Sequence, residues 1–292
     1  MTCEANKSAS VWLIGGTSES AELALALEAQ RVPFIVSVTT EAARRLYPAI
    51  AQVVVGALSR PQMAEFVQRQ QVKCVLDASH PFAASVSEGA IATALSLNIA
   101  YIRYERSLVS SSTSLDISPQ QCLEGLGTSH KVSFYTSVET LLNISQLRDR
   151  RILFTLGYRT LLRASQQLAQ LRQTSQLFVR ILPSPAALSA ALTAGFNARE
   201  IAALRPPITY ELEKALWQQW NISAVIAKAS GEAGGEATKR RLAAELGVEL
   251  RLLKRPPVAY PHQTSCLSEA VSFCQRQLST LSLGAHPADV TI

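Results

Sequence analysis

The 292 residues carry 28 Lys and Arg against 22 Asp and Glu, a net charge of +6, with 48% hydrophobic content, which is enough chain for two ordinary domains with sizeable cores. No uninterrupted apolar stretch approaches the roughly 18 residues of a bilayer span, and Met1 to Ser10 is polar rather than signal-like, so a soluble, cytoplasmic protein with no membrane partner is expected. The five cysteines, Cys3, Cys74, Cys122, Cys266 and Cys274, are scattered and form no Cys-x-x-Cys pair, which argues against a disulfide framework and a zinc site, and no metal is assigned.

In chain order, short apolar runs alternate with stretches of helical period, the pattern of parallel strands joined by helices. Strands are predicted at Val11 to Gly15, Phe34 to Val38, Gln52 to Gly56, Cys74 to Ser79 and Ile99 to Tyr104. Helices are predicted at Ser18 to Ala29, Glu41 to Leu46, Arg60 to Gln70 and Ala83 to Leu97. The stretch from Ser107 to His130 lapses into Ser, Thr and Gly and reads as a linker. Beyond it, strands are predicted at Val132 to Thr136, Arg151 to Gly157, Leu177 to Leu182, Glu200 to Leu204, Ala224 to Ala229 and Glu249 to Leu253. The helices between them are Val138 to Leu147, Thr160 to Leu171, Pro185 to Ala194, Tyr210 to Trp220 and Glu236 to Leu246. The expectation is two Rossmann-like, doubly wound α/β domains with an interdomain cleft: residues 1–106, a linker over 107–130, and residues 131–292 on the substrate side.

The first strand breaks at Gly15-Gly16-Thr17-Ser18-Glu19-Ser20 and restarts as a helix. Such a turn aims backbone N–H groups and a positive helix end at one point, the arrangement that holds a dinucleotide pyrophosphate. It is not the full Gly-x-Gly-x-x-Gly fingerprint, and an ordinary strand-to-helix turn capped by Thr17 or Ser18 is the competing explanation. After the second strand, Ser37, Thr39, Thr40 and Arg44 occupy the place that meets the cofactor ribose, with Glu41 assigned to the start of a helix; this set favours NADPH and leaves NADH open.

After the fourth strand comes Asp77-Ala78-Ser79-His80-Pro81-Phe82-Ala83. An imidazole titrates near neutral pH, so His80 is a candidate for proton transfer or ligand contact, set against a role in capping the following helix or anchoring the loop. Ligands bind beyond the carboxyl ends of such strands, which places Ser79, His80, Pro81 and Phe82 beside the cofactor.

The basic residues form no block of the nucleic-acid type; Lys239-Arg240-Arg241 and Lys254-Arg255 are short and interrupted. Cations fall instead at strand ends, among them Arg103, Arg205 and Lys228, and Lys228 opens the small-residue loop Ser230-Gly231-Glu232-Ala233-Gly234-Gly235. These residues suit an anionic small molecule. Gly-x-Ser-x-Gly, a Walker lysine and His-Glu-x-x-His are lacking, so redox chemistry on a bound dinucleotide is favoured.

The Gly-Gly-Thr-x-Glu turn at 15 to 19, the segment Asp77 to Ala83, Arg103-Tyr104-Glu105-Arg106, Arg205-Pro206-Pro207 and Lys228-Ala229-Ser230-Gly231 together resemble the precorrin-6A reductases of cobalamin biosynthesis. The resemblance implies nicotinamide-dependent reduction of a ring double bond of precorrin-6A or its cobalt form, with the cofactor on the first domain and a polycarboxylate tetrapyrrole as substrate. For that reaction the proton comes from His80, the candidate catalytic residue, from another nearby acid or from water, and Arg103, Arg205, Lys228, Ser230 and Gly231 are the expected grips for the substrate's carboxylates. The long 107–130 stretch and Ala229 depart from the family pattern and leave the metal content of the substrate open. A non-catalytic dinucleotide-binding redox sensor and a methyltransferase using S-adenosylmethionine are the alternatives; the assembly is expected to be a monomer or a small homo-oligomer.

Overall fold

The computed structural model describes residues 9–47, 51–106, 132–231 and 234–279. The expected linker over 107–130 lies outside them. The chain divides into two units, one made of Met1–Arg106 with Pro256–Ile292 and the other of Ser107–Arg255.

In the first unit the elements run β1 (Ser10–Ile14), α1 (Ser18–Ala29), β2 (Phe34–Val38), α2 (Glu41–Arg44), β3 (Gln52–Val55), α3 (Arg60–Arg69), β4 (Val72–Asp77), α4 (Ala84–Ser96) and β5 (Ala100–Tyr104). Turn chemistry sets the helix starts. The Thr17 hydroxyl accepts the Ser20 N–H at 3.1 Å, Thr40 accepts that of Ala43 at 3.2 Å, and the Gln62 side chain reaches back to the Ser59 N–H at 2.8 Å. Residues 11–13 of β1 and 74–76 of β4 are buried without alternation, as expected of parallel strands covered on both faces. Leu23 and Leu27 of α1 lie in the core on one face, and Met63, Phe66 and Val67 of α3 with Ala90 and Ala94 of α4 on the other.

The second unit runs β6 (Val132–Tyr135), α5 (Val138–Leu141), α6 (Ile144–Leu147), β7 (Arg151–Thr155), α7 (Tyr158–Arg163), α8 (Ser165–Leu171), β8 (Gln176–Ile181), α9 (Pro185–Thr193), β9 (Ile201–Ala203), α10 (Tyr210–Gln219), β10 (Ala224–Lys228), α11 (Glu236–Leu246) and β11 (Glu249–Leu253). Two helices expected to be continuous are broken, at Leu142-Asn143 and at Ala164. Ala164 is buried, as are Leu161 before it and Leu168 after it. Trp217 and Leu242 cover Val225, Ala227, Leu250 and Leu252; full burial of a large apolar side chain contributes roughly 1.5–3 kcal/mol.

The domain boundary expected at 131–292 needs correction. Beyond Arg255 the chain rejoins the first unit, where β12 (Gln263–Thr264) pairs in parallel with β5 and α12 (Leu267–Ser279) buries Ala270, Val271 and Cys274 in that unit's core. Strand order is β12-β5-β4-β1-β2-β3 in one sheet and β6-β11-β10-β7-β8-β9 in the other, all pairs parallel. Each chain path winds outward over three strands and then crosses to the other side, so the order reverses between β1 and β4 and again between β7 and β10. Ligands of open α/β sheets bind at such reversals, beyond the strand carboxyl ends.

Candidate functional site

At the reversal of the first sheet, Gly15 and Gly16 end β1 for different reasons. A Cβ on Gly15 would lie 2.3 Å from the Tyr47 hydroxyl and 3.1 Å from Val36 Cγ1, so Tyr47 above all, with Val36, leaves room only for glycine. Gly16 has φ +106°, a conformation side chains resist, and a Cβ there would meet only Ala43 Cβ, at 4.0 Å. The Gly16 N–H donates to the Tyr47 hydroxyl at 2.9 Å and to Ser20 Oγ at 3.1 Å, and the Thr17 N–H donates to Ser20 Oγ at 3.0 Å. Tyr47 and Ser20 also share a short hydroxyl–hydroxyl bond. The expected cradle of outward N–H groups is therefore corrected: Ser20 and Tyr47 take two of them, and Thr17 accepts a third.

The Thr17 hydroxyl donates to the Ala78 carbonyl at 3.1 Å and ties this turn to the loop after β4. Glu19 pairs with Arg106. Burial opposes ionisation of Glu19, yet its own backbone N–H and the Arg106 guanidinium outweigh it and hold the carboxyl below the usual range. Ser18 is exposed and donates to Glu19 at 3.2 Å. Thr17, Glu19, Ser79, Pro81, Arg103 and Arg106 border a shallow recess at this point.

Behind the recess lies a buried polar network. Asp77 Oδ1 accepts the Ser79 N–H at 2.9 Å and Arg103 at 2.9 Å, while Oδ2 accepts the Ser87 hydroxyl at 2.6 Å and the Tyr101 hydroxyl at 2.7 Å. Arg103 also donates to Ser79 Oγ at 3.0 Å and to Glu105 at 2.6 Å, and its guanidinium lies 5.4 Å from the Tyr260 ring centroid. Burial works against the charge on Arg103, but Asp77 and Glu105 more than offset it and raise its pKa. Burial and the neighbouring Asp77 likewise push the Tyr101 phenol up. Arg103, expected to grip substrate, is 1% exposed and committed to these carboxylates, because its register opposite Asp77 turns it into the sheet.

His80 stands exposed at the rim. Its Nδ1 accepts the Phe82 N–H at 3.2 Å, which puts the proton of the neutral ring on Nε2, and its ring tilts against Phe82 at 6.0 Å. The Ala83 N–H donates to the His80 carbonyl at 2.7 Å, so Pro81 sits inside a turn and α4 begins only at Ala84. The loop is thus anchored by the His80 backbone and ring together.

The residues after β2 separate. Ser37 is buried and accepts the Trp12 indole N–H at 2.8 Å, so it serves the core and does not meet a ribose. Thr40 caps α2. Thr39 and Arg44 remain exposed, Arg44 only 3.9 Å from Glu41.

At the reversal of the second sheet, the Gly231 N–H donates to Glu236 at 2.9 Å, Ser230 packs where a Cβ on Gly234 would stand, and Lys239 donates to the Gly234 and Gly235 carbonyls at 3.1 Å. The Gly231 N–H is thus spent on Glu236 and the Ser230 N–H on the Lys228 carbonyl at 2.8 Å, so neither backbone donor is offered outward as expected. Lys228 lies at the β10 end, and burial with neighbouring Arg163 and Arg159 of α7 pushes it down to about 8. Arg205 is exposed in its own loop after β9.

Sequence reasoning missed Tyr47, Ser20, Asp77, Tyr101 and Tyr260. Asp77, the polar end of an apolar strand, and Ser20, inside the glycine turn, lay in segments that carried a local signal; Tyr47, Tyr101 and Tyr260 come from elsewhere in the chain. Among the described residues no group of three His, Cys, Asp or Glu is placed to hold a metal ion, and no helix is long and apolar enough to cross a membrane.

Comparison with known proteins matches the chain to a family. The model for precorrin-6x reductase CbiJ/CobK matches residues 10–275. A cobalt-precorrin-6A reductase of Synechocystis sp. is 41% identical over 92% of this chain and 97% of its own, and one of Priestia megaterium is 29% identical over 89% and 96%. The solved structure of CobK precorrin-6A reductase shares the fold, with a TM-score of 0.71 at 20% identity over 92% of this chain and 97% of the other. With a match along almost all of its described length and a relative at this level of identity, the chain belongs to the precorrin-6x reductase family.

Proposed function

We propose that this protein reduces a ring double bond of cobalt-precorrin-6A at the expense of NADPH. The observation that carries the reading is the reversal between β1 and β4, where the Gly16 turn, the α1 N-terminus and the Ser79–Phe82 loop meet in a chain of this family. The cobalt-bearing substrate is preferred because the two relatives above carry that name.

The residues fit a dinucleotide: Gly16 leaves room for close approach, α1 presents its positive end, and Arg106 stands at the recess. Thr39 and Arg44 are placed for a 2′-phosphate, with NADH as the weaker alternative. The chemistry available from a bound nicotinamide is hydride donation to an electrophilic carbon. His80 holds a proton on Nε2 for the neighbouring carbon, while Lys228 and Arg205 take up acetate or propionate side chains of the macrocycle. Positioning of these groups accounts for much of the rate.

The test is oxidation of NADPH, followed at the nicotinamide absorbance band, on mixing with anaerobic cobalt-precorrin-6A. Stoichiometric loss with formation of the dihydro product supports the reading; tight NADPH binding without turnover returns the redox-sensor alternative. In His80→Ala, kcat is expected to fall about 100-fold with NADPH affinity unchanged. An unchanged kcat removes His80 from the chemistry.

A further inference from the structure

The hydroxyl of Ser79 accepts a hydrogen bond and still has its own proton to give. A guanidinium donates and never accepts, so the 3.0 Å contact from Arg103 occupies a lone pair of Ser79 Oγ, not its proton. Asp77 Oδ1 is already engaged by the Ser79 N–H and by Arg103, and Oδ2 by Ser87 and Tyr101. Among the described residues, none accepts the Ser79 proton. Ser79 borders the recess together with Thr17 and Pro81.

Charge decides what kind of acceptor suits it. One guanidinium faces two carboxylates, Asp77 and Glu105, so the group behind Ser79 carries a formal net charge of −1. Tyr260 stacks on the same guanidinium without adding positive charge. An anionic phosphate oxygen is disfavoured there, and a neutral carbonyl oxygen is favoured.

We propose that Ser79 donates its hydroxyl proton to the carboxamide oxygen of the nicotinamide, and that Arg103, held by Asp77 and Glu105, is the positioning residue that fixes this polarity. The inference rests on the cofactor reading above. It assigns the β4 side of the reversal to the nicotinamide end of the cofactor and leaves the diphosphate to the Gly16 turn.

The test is calorimetric binding to wild type and Ser79→Ala of three compounds: NADPH, its thionicotinamide analogue, whose sulfur is a poor acceptor, and 2′-phospho-ADP-ribose, which lacks the nicotinamide. Ser79→Ala is expected to weaken NADPH about tenfold, to change the thio analogue less than twofold, and to leave 2′-phospho-ADP-ribose unchanged. Equal weakening of all three, or none, overturns the proposal. Failure of wild type to bind NADPH overturns the cofactor reading and this inference with it, whereas wild-type binding that ignores Ser79→Ala overturns this inference alone. Arg103→Gln, whose amide oxygen can accept the Ser79 proton, is expected to reproduce the selective loss; if that variant does not fold, the three-ligand profile of Ser79→Ala decides.

Discussion

Five strands of each sheet follow one order, β5-β4-β1-β2-β3 and β11-β10-β7-β8-β9, while the sixth is the last strand of its unit in one (β12) and the first in the other (β6); the charges at the two reversals differ. Between β1 and β4 each cation is paired, Arg103 with both Asp77 and Glu105 and Arg106 with Glu19, which leaves one carboxylate in excess. Between β7 and β10 cations gather, and Arg163 and Arg159 add to burial in depressing Lys228. The shared five-strand winding thus carries a buried, net-negative ion-pair network in one unit and an electropositive strand end in the other. Backbone winding chooses where a ligand goes; the side chains at the strand ends choose its charge.

The sharpest way to break this contrast is to remove a carboxylate from the Arg103 network. Asp77→Ala leaves Arg103 with Glu105 alone and strips Ser79, Ser87 and Tyr101 of their acceptor, and is expected to cost about 3–5 kcal/mol. Chemical denaturation measures the loss, and hydrogen exchange should confine it to the first unit, with the β7–β10 amides keeping their protection.

A smaller effect is expected at the glycine turn. Gly15→Ala drives a methyl group against the Tyr47 hydroxyl and should cost about 1–3 kcal/mol. If Tyr47 is the sole reason for the glycine, Tyr47→Phe made together with Gly15→Ala recovers part of that cost in a double-mutant cycle. Additive losses would mean that the turn, not the tyrosine, excludes the side chain.

At the electropositive reversal the expected signature is functional. A lysine at about 8 is charged below that pH and loses its proton above it. A bound carboxylate stabilises the charged form, so KM for the tetrapyrrole should be flat at low pH and rise, by at most tenfold per pH unit, starting at or above about 8. Lys228→Met should raise KM about tenfold at pH 7 and flatten the rise, while leaving stability near that of wild type, since a buried charge has been removed. A rise that persists in this variant assigns the titration to another group; Lys239, also held near 8, is the first candidate.

The smallest effect is that of Tyr47→Phe alone. Losing its bonds to the Gly16 N–H and Ser20 should cost about 1 kcal/mol in denaturation, because Ser20 retains its own bonds to the turn.

Much of the first site was legible along the chain. Paired glycines after an apolar strand, a hydroxyl cap at Thr17 and a polar segment after the fourth strand are local signals, and local backbone preference acts over a few residues. Even the missed α12 was written in the spacing of Leu267, Ala270, Val271, Cys274 and Leu278. Its destination was not written there, because an amphipathic stripe states that a face must be covered and does not name the sheet that covers it.

Strand and helix identity, the two windings and the glycine turn followed from periodicity and turn chemistry. Which charges are spent and which remain for a ligand followed from register and long-range return: Asp77 meets Arg103 because β4 and β5 pair in parallel, and Tyr260 reaches that guanidinium because the chain comes back after Arg255. An arginine at a strand end looks the same in sequence whether it is buried between carboxylates or open to solvent. Burial and partnership set its role, and both belong to contacts between residues far apart in the chain.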